Sequence, residues 1–246
     1  MKLGFIFLIS LLLFANACKK ANESNSYSSK NNLDTTDKTY KEVIPVSKLK
    51  FDIQLNPDSI KITHYATLRT TFGDIKIALY GEDAPKTVKN FVSLARQGYF
   101  DNTLIHRVAK NFLIQMGDGN TKYISKRNEW GKGGKSIYSG YFKDEINLNS
   151  ILYKVGYTYG TVAMANSGPN KNLSQFFICL DEAIELDKKY TIFGKVVEGF
   201  DVIDKIEMQE IIPFKFDSLD GIPKNPIKIN KVLISENKSF KKSNQK

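Results

Sequence analysis

Cysteine and histidine are both scarce in this chain of 246 residues, which contains two of each. Two cysteines cannot build a disulfide framework or a cysteine-rich zinc site, so the core must be stabilised by packing alone. Cys179 lies in an apolar run, which favours a buried hydrophobic residue over a reactive thiol. His64 and His106 are too few for a histidine metal site, and we interpret His106 as a hydrogen-bonded structural residue. No metal site is expected.

The chain begins with an apolar run, residues 5–14, that is too short to span a bilayer as a permanent helix. Lys2 precedes this run, and the small residues of 15–17 follow it. A positive start, an apolar segment and a small-residue cleavage site are typical of a secretory signal peptide. We therefore predict that residues 1–17 are a signal peptide and that the protein is exported from a bacterial cytoplasm.

Cys18 directly follows this predicted cleavage site. The segment resembles the lipobox of bacterial lipoproteins, although Ala15 occupies the position where leucine is usual. The resemblance implies a lipid on Cys18 and an exported, membrane-anchored protein on the periplasmic face or the cell surface. Cleavage by an ordinary signal peptidase, without lipidation, is the alternative.

Acidic residues are outnumbered, and the formal net charge is +10. Residues 19–50 carry seven lysines against four acids, and residues 237–246 carry four lysines and no acid. Because most of the excess charge lies in these terminal segments, it fits tethers near an anionic lipid surface better than a nucleic-acid groove. We expect no nucleic-acid partner.

Composition divides the chain into five segments. After the signal peptide, residues 18–45 have almost no large apolar side chains, which predicts a lipidated flexible tether. Residues 46–63 alternate loosely and are assigned to an extension outside the main domain. Residues 64–236 form one dense domain, and residues 237–246 form a basic tail.

The pattern of residues 64–236 is mainly that of β-strands, with a hairpin turn predicted at Gly73-Asp74. Helical spacing predicts one helix that begins at the N-cap Asp83 and stops at Gly98, and a second over residues 200–208. The eight predicted strands are 66–72, 75–80, 103–107, 112–116, 160–165, 175–180, 191–197 and 227–234. Strands that do not alternate with helices favour a closed antiparallel eight-stranded barrel capped by two α-helices.

Three segments combine polar residues with large apolar ones: residues 105–118 (IHRVAKNFLIQMGD), 164–179 (MANSGPNKNLSQFFIC) and 186–195 (LDKKYTIFGK). They closely resemble the cyclophilins, whose signatures are F-H-R-x-x-x-x-F-x-x-Q-x-G-D and M-A-N-x-G-P-N-x-N-x-S-Q-F-F-I. The resemblance covers residues 64–236. It implies a cyclophilin-like barrel and a peptidyl-prolyl cis/trans isomerase that uses no cofactor and no metal.

The resemblance also implies the residues of the site. Arg107 occupies the position of the family's catalytic arginine, and Tyr190 replaces a histidine that is common in the family. The proline pocket falls on Phe112, Leu113 and Phe177, its wall on Leu186 and Tyr190, and the contacts with the substrate backbone on Gln115, Ala165, Asn166 and Gln175.

The implied partners are proline-containing unfolded or flexible polypeptides. The protein itself is expected to be a monomer that is held on a membrane through its lipid. An alternative is a cyclophilin-like chaperone, scaffold or surface-binding module with little isomerase activity. Two insertions relative to the family pattern, between Asp118 and Gly133 and between Glu145 and Gly160, favour this alternative, as does Glu185 in place of tryptophan. The intact set of site residues favours the enzyme.

Overall fold

The computed structural model describes residues 60–243, and in this range eleven strands form one antiparallel sheet. The strands are β1 (His64–Thr70), β2 (Gly73–Leu79), β3 (Thr103–Ile105), β4 (Arg107–Ala109), β5 (Leu113–Met116), β6 (Thr161–Asn166), β7 (Asn172–Cys179), β8 (Ile192–Glu198), β9 (Ile211–Phe214), β10 (Asp217–Pro223) and β11 (Ile227–Glu236). The helices are α1 (Pro85–Arg96), α2 (Ile151–Val155), α3 (Phe200–Glu207) and α4 (Lys238–Ser243). The strand order is β3-β11-β1-β2-β8-β6-β7-β5-β4-β10-β9.

Alternation along the strands separates two apolar clusters, because successive side chains of a strand point to opposite faces of the sheet. In β7, Phe176 and Ile178 belong to the larger interior cluster, which α1 and α3 cover. Phe177 and Cys179 belong to a smaller cluster on the outer face. Cys179 is fully buried and burial raises its thiol pKa to about 12, which confirms the prediction of a buried hydrophobic residue.

The two predicted helices are confirmed, and each buries the predicted face. Val88, Phe91, Val92 and Ala95 of α1 are buried, and so are Val202, Ile203 and Ile206 of α3. Phe91 lies in an aromatic group, with its ring centroid 5.1 to 5.6 Å from those of Phe100, Phe176 and Phe193.

The predicted N-cap of α1 is wrong. Ala84 rather than Asp83 occupies that position, and its side chain makes no capping bond. The carboxylate of Glu145 instead accepts hydrogen bonds from Lys86 N and Thr87 N, at 2.9 and 2.8 Å. A carboxylate at a helix N-terminus accepts hydrogen bonds from the otherwise unpaired amides and interacts favourably with the helix dipole. The cap of α1 is therefore supplied by Glu145, from a loop distant in sequence.

Two predictions about the sheet also need correction. The β1–β2 turn is Thr71–Phe72 rather than Gly73-Asp74, because Thr70 Oγ1 donates to Gly73 O and accepts from Phe72 N. A closed eight-stranded barrel is not confirmed, because the eleven described strands have an open order that ends at β3 and β9. The additional strands arise because the predicted strand 103–107 divides at His106 and because β9 and β10 form an unpredicted hairpin.

Described residues on both sides of the predicted domain, residues 64–236, make contacts with it. Residues 60–63, assigned to the extension, contact the domain: Ile60 is buried in the outer cluster, and Thr63 N donates to Leu79 O. Part of the predicted basic tail forms α4, and Asn237 N donates to Thr63 O. The predicted signal peptide, the tether and residues 46–59 lie outside the described residues. No helix in the described range is long and apolar enough to cross a membrane.

Candidate active site

Arg107, Gln115 and Phe177 form a row across three neighbouring strands. Arg107 of β4 is the register partner of Gln115 of β5, and Gln115 is the register partner of Phe177 of β7. Register partners project from the same face of a sheet, and neighbouring strands are about 4.8 Å apart. The strand register thus places the predicted catalytic arginine on the same face as the predicted proline pocket.

A chain of hydrogen bonds orients the polar side chains of this row. Arg107 Nη1 donates to Gln115 Oε1 at 3.2 Å, and Gln115 Nε2 donates to Gln175 Oε1 at 2.8 Å. Gln175 Nε2 in turn donates to the carbonyl of Gly133 at 2.6 Å. The side-chain amides of Gln115 and Gln175 each accept one of these hydrogen bonds and donate another. The orientation of each side chain in the series therefore depends on that of its neighbour.

The first insertion is anchored by Asp118, which is completely buried. Its carboxylate accepts hydrogen bonds from Asn120 N, Gly131 N and Gly133 N at 2.8, 2.7 and 3.1 Å. These bonds fix the backbone whose Gly133 carbonyl receives Gln175. Asp118 thereby supports the site from within the loop.

Trp130, the single tryptophan of the chain, packs on this same insertion. Its indole N–H donates to Tyr123 O at 3.3 Å, and the Arg127 guanidinium lies 5.7 Å from its ring centroid. Both partners belong to the loop, which agrees with an ordinary loop residue rather than a substrate contact.

The predicted apolar site residues all belong to the outer cluster. Leu113, Phe177 and Leu186 are 2 to 3% exposed, and Phe112, Ala165 and Tyr190 are partly buried against them. The rings of Phe177 and Tyr190 meet edge to face, with centroids 5.6 Å apart. A partly open apolar surface of this kind suits a small ring such as that of proline.

The strand register ties Arg107 to the apolar surface, since Gln115 is the register partner of both Arg107 and Phe177. Burial raises the pKa of the Tyr190 phenol in this surface, and the positive charge of Arg107 partly opposes that rise.

The second insertion holds the pocket wall through buried tyrosine hydroxyls. Tyr157 Oη donates to Tyr190 O at 2.8 Å and accepts from Tyr190 N at 3.0 Å. Tyr153 Oη donates to Tyr190 O at 3.2 Å and accepts from Ile192 N at 3.0 Å. The backbone of Tyr190 is consequently fixed by two tyrosines of the segment 145–160, which contains the second insertion.

Asn166 lies at the end of β6, beside Ala165. Its Nδ2 donates to Lys189 O at 3.2 Å, and its Oδ1 accepts from Gly168 N at 3.2 Å. The side chain therefore links its own strand to the segment that carries Tyr190.

A further acidic residue, Asp220 of β10, pairs with Arg107. Arg107 Nε donates to Asp220 Oδ1 and Oδ2 at 2.9 and 3.0 Å, and Nη2 donates to Oδ2 at 2.6 Å. Sequence reasoning missed Asp220 because it lies 113 residues from Arg107, in a hairpin that the sequence pattern did not reveal. Asp118 and Gly133 were visible in the sequence, but their hydrogen bonds were not.

His106, next to Arg107, is buried, with 4% of its surface exposed. The backbone of Leu104 and the side chain of Gln175 lie close enough to the ring to raise its pKa by hydrogen bonding, although neither ring nitrogen makes a contact of standard hydrogen-bond geometry among residues 60–243, so the hydrogen-bonded role of His106 stays a prediction. Burial lowers the pKa of His106 to about 4, against the opposing charge of Asp118. His106 is therefore neutral near pH 7. The described residues contain no cluster of three or more metal-ligating side chains.

The fold brings all ten predicted site residues onto one region of the outer face. Their catalytic and binding roles stay predictions, since geometry shows placement and not activity.

Comparison with known proteins gives the same fold and adds the activity. The model of the family "Cyclophilin type peptidyl-prolyl cis-trans isomerase/CLD" matches residues 65–234. Peptidyl-prolyl cis-trans isomerase 10 of Caenorhabditis elegans is 45% identical over 141 residues, which are 57% of this chain and 80% of that protein. Peptidyl-prolyl cis-trans isomerase ppi1 of Schizosaccharomyces pombe is 44% identical over 166 residues, 68% of this chain and 96% of that protein.

Solved structures of cyclophilin type isomerases have a similar fold. The crystal structure of a cyclophilin type peptidyl-prolyl cis-trans isomerase of Cryptosporidium parvum has a TM-score of 0.59 and 35% identity, and the match covers 72% of this chain and 99% of that one. A second crystal structure of that isomerase, determined in the presence of the dipeptide Ala-Pro, has a TM-score of 0.58.

The curled antiparallel sheet and its outer-face site define a mainly β protein of cyclophilin-like fold. The chain belongs to the cyclophilin family, and it is a peptidyl-prolyl cis-trans isomerase, an enzyme that needs no cofactor.

Proposed function

We propose that this isomerase acts on Xaa-Pro bonds in unfolded or flexible segments of exported proteins, with Arg107 as the catalytic residue. The observation that carries the proposal is the row of Arg107, Gln115 and Phe177 across β4, β5 and β7. A proline ring seated on Phe112, Leu113 and Phe177 would lie beside the guanidinium. The Cryptosporidium parvum relative crystallised in the presence of Ala-Pro supports a proline-containing ligand.

The chemistry requires only rotation about one bond. The imide bond before proline has partial double-bond character, and its uncatalysed isomerisation takes about 10 to 100 s. A turnover of order 10² per second requires roughly four decades of acceleration, or about 5 to 6 kcal/mol. No covalent intermediate is needed.

Arg107 stabilises the rotated state selectively. As the bond twists, the proline nitrogen loses conjugation and becomes a hydrogen-bond acceptor, which it is not in the planar ground state. A preorganised donor in a site with little water is typically worth about 2.7 to 4 kcal/mol. Arg107 thus supplies most of the requirement, and the remainder comes from holding the ring and the backbone in one orientation.

Four polar or small residues hold the substrate backbone in this proposal: Gln115, Ala165, Asn166 and Gln175. The hydrogen bonds from Gln115 to Gln175 and from Gln175 to Gly133 O favour this role, because they fix both amide groups before substrate binds. Leu186 and Tyr190 form the wall on the other side of the ring, and the contact between Tyr190 and Phe177 supports that assignment.

The test is the isomerisation of a proline-containing peptide by the wild-type chain and by Arg107→Ala. We expect kcat to fall by about 10²- to 10³-fold, because a single preorganised donor is lost. Arg69→Ala is the matched control, since Arg69 of β1 is exposed and its recorded ion-pair partner is Asp74, at 3.9 Å. Equal rates for wild type and Arg107→Ala would refute the assignment of Arg107.

We also propose that the enzyme is an exported monomer anchored to a membrane by a lipid on Cys18, on the periplasmic face or the cell surface. The support is the sequence of residues 1–18 and the excess of lysines in the terminal segments. The comparisons reported above are with eukaryotic proteins and do not bear on this point. In such a location a folding catalyst that needs no cofactor is chemically suitable.

A further inference from the structure

The β9–β10 hairpin places Asp220 diagonally across from Arg107. In the register of β10 and β4, Asp220 lies opposite Ala109, and Gly221 lies opposite Val108. Continuing this antiparallel register places residue 222 opposite Arg107. Asp220 is two residues from that position, so its side chain projects from the same face as that of Arg107. Diagonal neighbours of this kind are within reach of long side chains.

The resulting ion pair is well shielded and geometrically specific. The side chains of Arg107 and Asp220 are 20% and 15% exposed, so water screens their interaction less than it screens the other recorded ion pairs. Both carboxylate oxygens take part, at 2.6 to 3.0 Å. A planar guanidinium held by both oxygens of a carboxylate has one preferred orientation.

This pairing determines which edge of the guanidinium faces the site. Asp220 contacts the Nε and Nη2 edge, whereas Nη1 is directed at Gln115 in the row of site residues. Without Asp220, rotation about the long arginine side chain would spread the donors over several orientations. A donor stabilises a transition state only when it is correctly oriented. Loss of a single guanidinium orientation would therefore weaken the stabilisation of the rotated substrate and lower kcat.

We propose that Asp220 is a positioning residue of the isomerase, which orients Arg107 from outside the proline pocket. The proposal rests on the assignment of Arg107 as the catalytic residue. It adds to the active site a hairpin that lies at the end of the sheet, next to β4.

The first experiment compares kcat and KM for a proline peptide in the wild-type chain and in Asp220→Ala. We expect kcat to fall about tenfold, because a displacement of about 1 Å in a positioned group can cost up to 10²-fold. KM should change less than about twofold, because Asp220 acts through Arg107. Asp217→Ala is the matched control: Asp217 lies in the same hairpin, where it accepts from Leu219 N, and kcat should be unchanged.

The second experiment separates positioning from a general effect on the fold. In an Arg107→Ala background, Asp220→Ala should cause no further loss of kcat, because its only route to the substrate is gone. A further tenfold loss in that background would show a structural effect and overturn the proposal. Asp220→Glu, which keeps the carboxylate, should recover a larger part of kcat than Asp220→Ala.

The remaining outcomes are also decisive. An unchanged or increased kcat in Asp220→Ala, with kcat still reduced in Arg107→Ala, would overturn the role of Asp220 and leave that of Arg107 intact. Full activity in Arg107→Ala would instead refute the proposed catalytic residue. The two failures are therefore distinguishable.

Discussion

His106 illustrates how one buried side chain affects stability. Its folded-state pKa is lowered to about 4 because burial disfavours the charged ring, whereas an unfolded histidine titrates near 6.5. Between these values the unfolded chain binds more protons than the folded one, so stability rises with pH and is lost as the pH falls. His106 therefore destabilises the fold progressively below about pH 6.5.

We predict that the free energy of unfolding of the wild-type chain falls by about 2 kcal/mol more, between pH 7.5 and pH 4.5, than that of His106→Gln. Denaturant titrations at the two pH values measure this difference. Identical pH dependence for wild type and His106→Gln would show that His106 does not titrate in this range.

The sequence predicted which side chains form the site better than it predicted the hydrogen bonds between them. The motif residues lie together because they are spaced by two along β5 and β7 or are register partners, both of which follow from strand periodicity. Asp220 and the Gly133 carbonyl were not predictable in this way. One depends on the pairing of distant strands, and the other is a backbone group with no signature in the sequence.

In the second insertion, Tyr157 holds both the N–H and the carbonyl of Tyr190. Tyr157→Phe removes both hydrogen bonds without changing the ring. We expect a loss of stability of about 1 to 3 kcal/mol, since a buried backbone group is left unsatisfied. We also expect a rise in KM for a proline peptide as the pocket wall loosens.

The measurements are denaturant unfolding and steady-state kinetics, with Tyr141→Phe as control. Tyr141 is 58% exposed and should tolerate the change in both assays. Wild-type KM in a destabilised Tyr157→Phe protein would show that the insertion supports the fold alone.

Among the elements, the two longest helices, α1 and α3, were predicted accurately, whereas the shorter α2 and α4 were not predicted. The apolar spacing of α1 and α3 matches the helical period, so both the existence and the buried face of each helix follow from the sequence. The β9–β10 hairpin lacks such a signal: Ile212, Phe214 and Phe216 are exposed, and Pro213 interrupts the strand pattern. Its position is set by pairing with β4, which local patterns do not encode.

For the whole molecule, the mainly β fold was predicted correctly, whereas the predicted closure into an eight-stranded barrel is not confirmed. Strand propensity is a local property, whereas the order of strands and the openness of the sheet depend on contacts between distant segments. The tether and the anchor lie outside residues 60–243, so they rest on the sequence alone.

The proposed lipid on Cys18 can be tested directly. Metabolic labelling with palmitate should mark the wild-type chain and should be lost in Cys18→Ser, because the thiol is the expected acylation site. Cys179→Ser is the matched control and should keep the label, since that thiol is buried in the domain. Persistent labelling of Cys18→Ser would rule out this attachment point.

The place of β11 in the sheet also governs when the enzyme becomes complete during synthesis. β11 is the last strand of the sheet in the chain, and it inserts between β1 and β3, with Val232 opposite Leu68. A nascent polypeptide still attached to the ribosome near residue 226 would leave two unsatisfied strand edges, which are templates for intermolecular pairing. The sheet of this folding catalyst is therefore complete only once β11 itself has been synthesised and has paired with both neighbours.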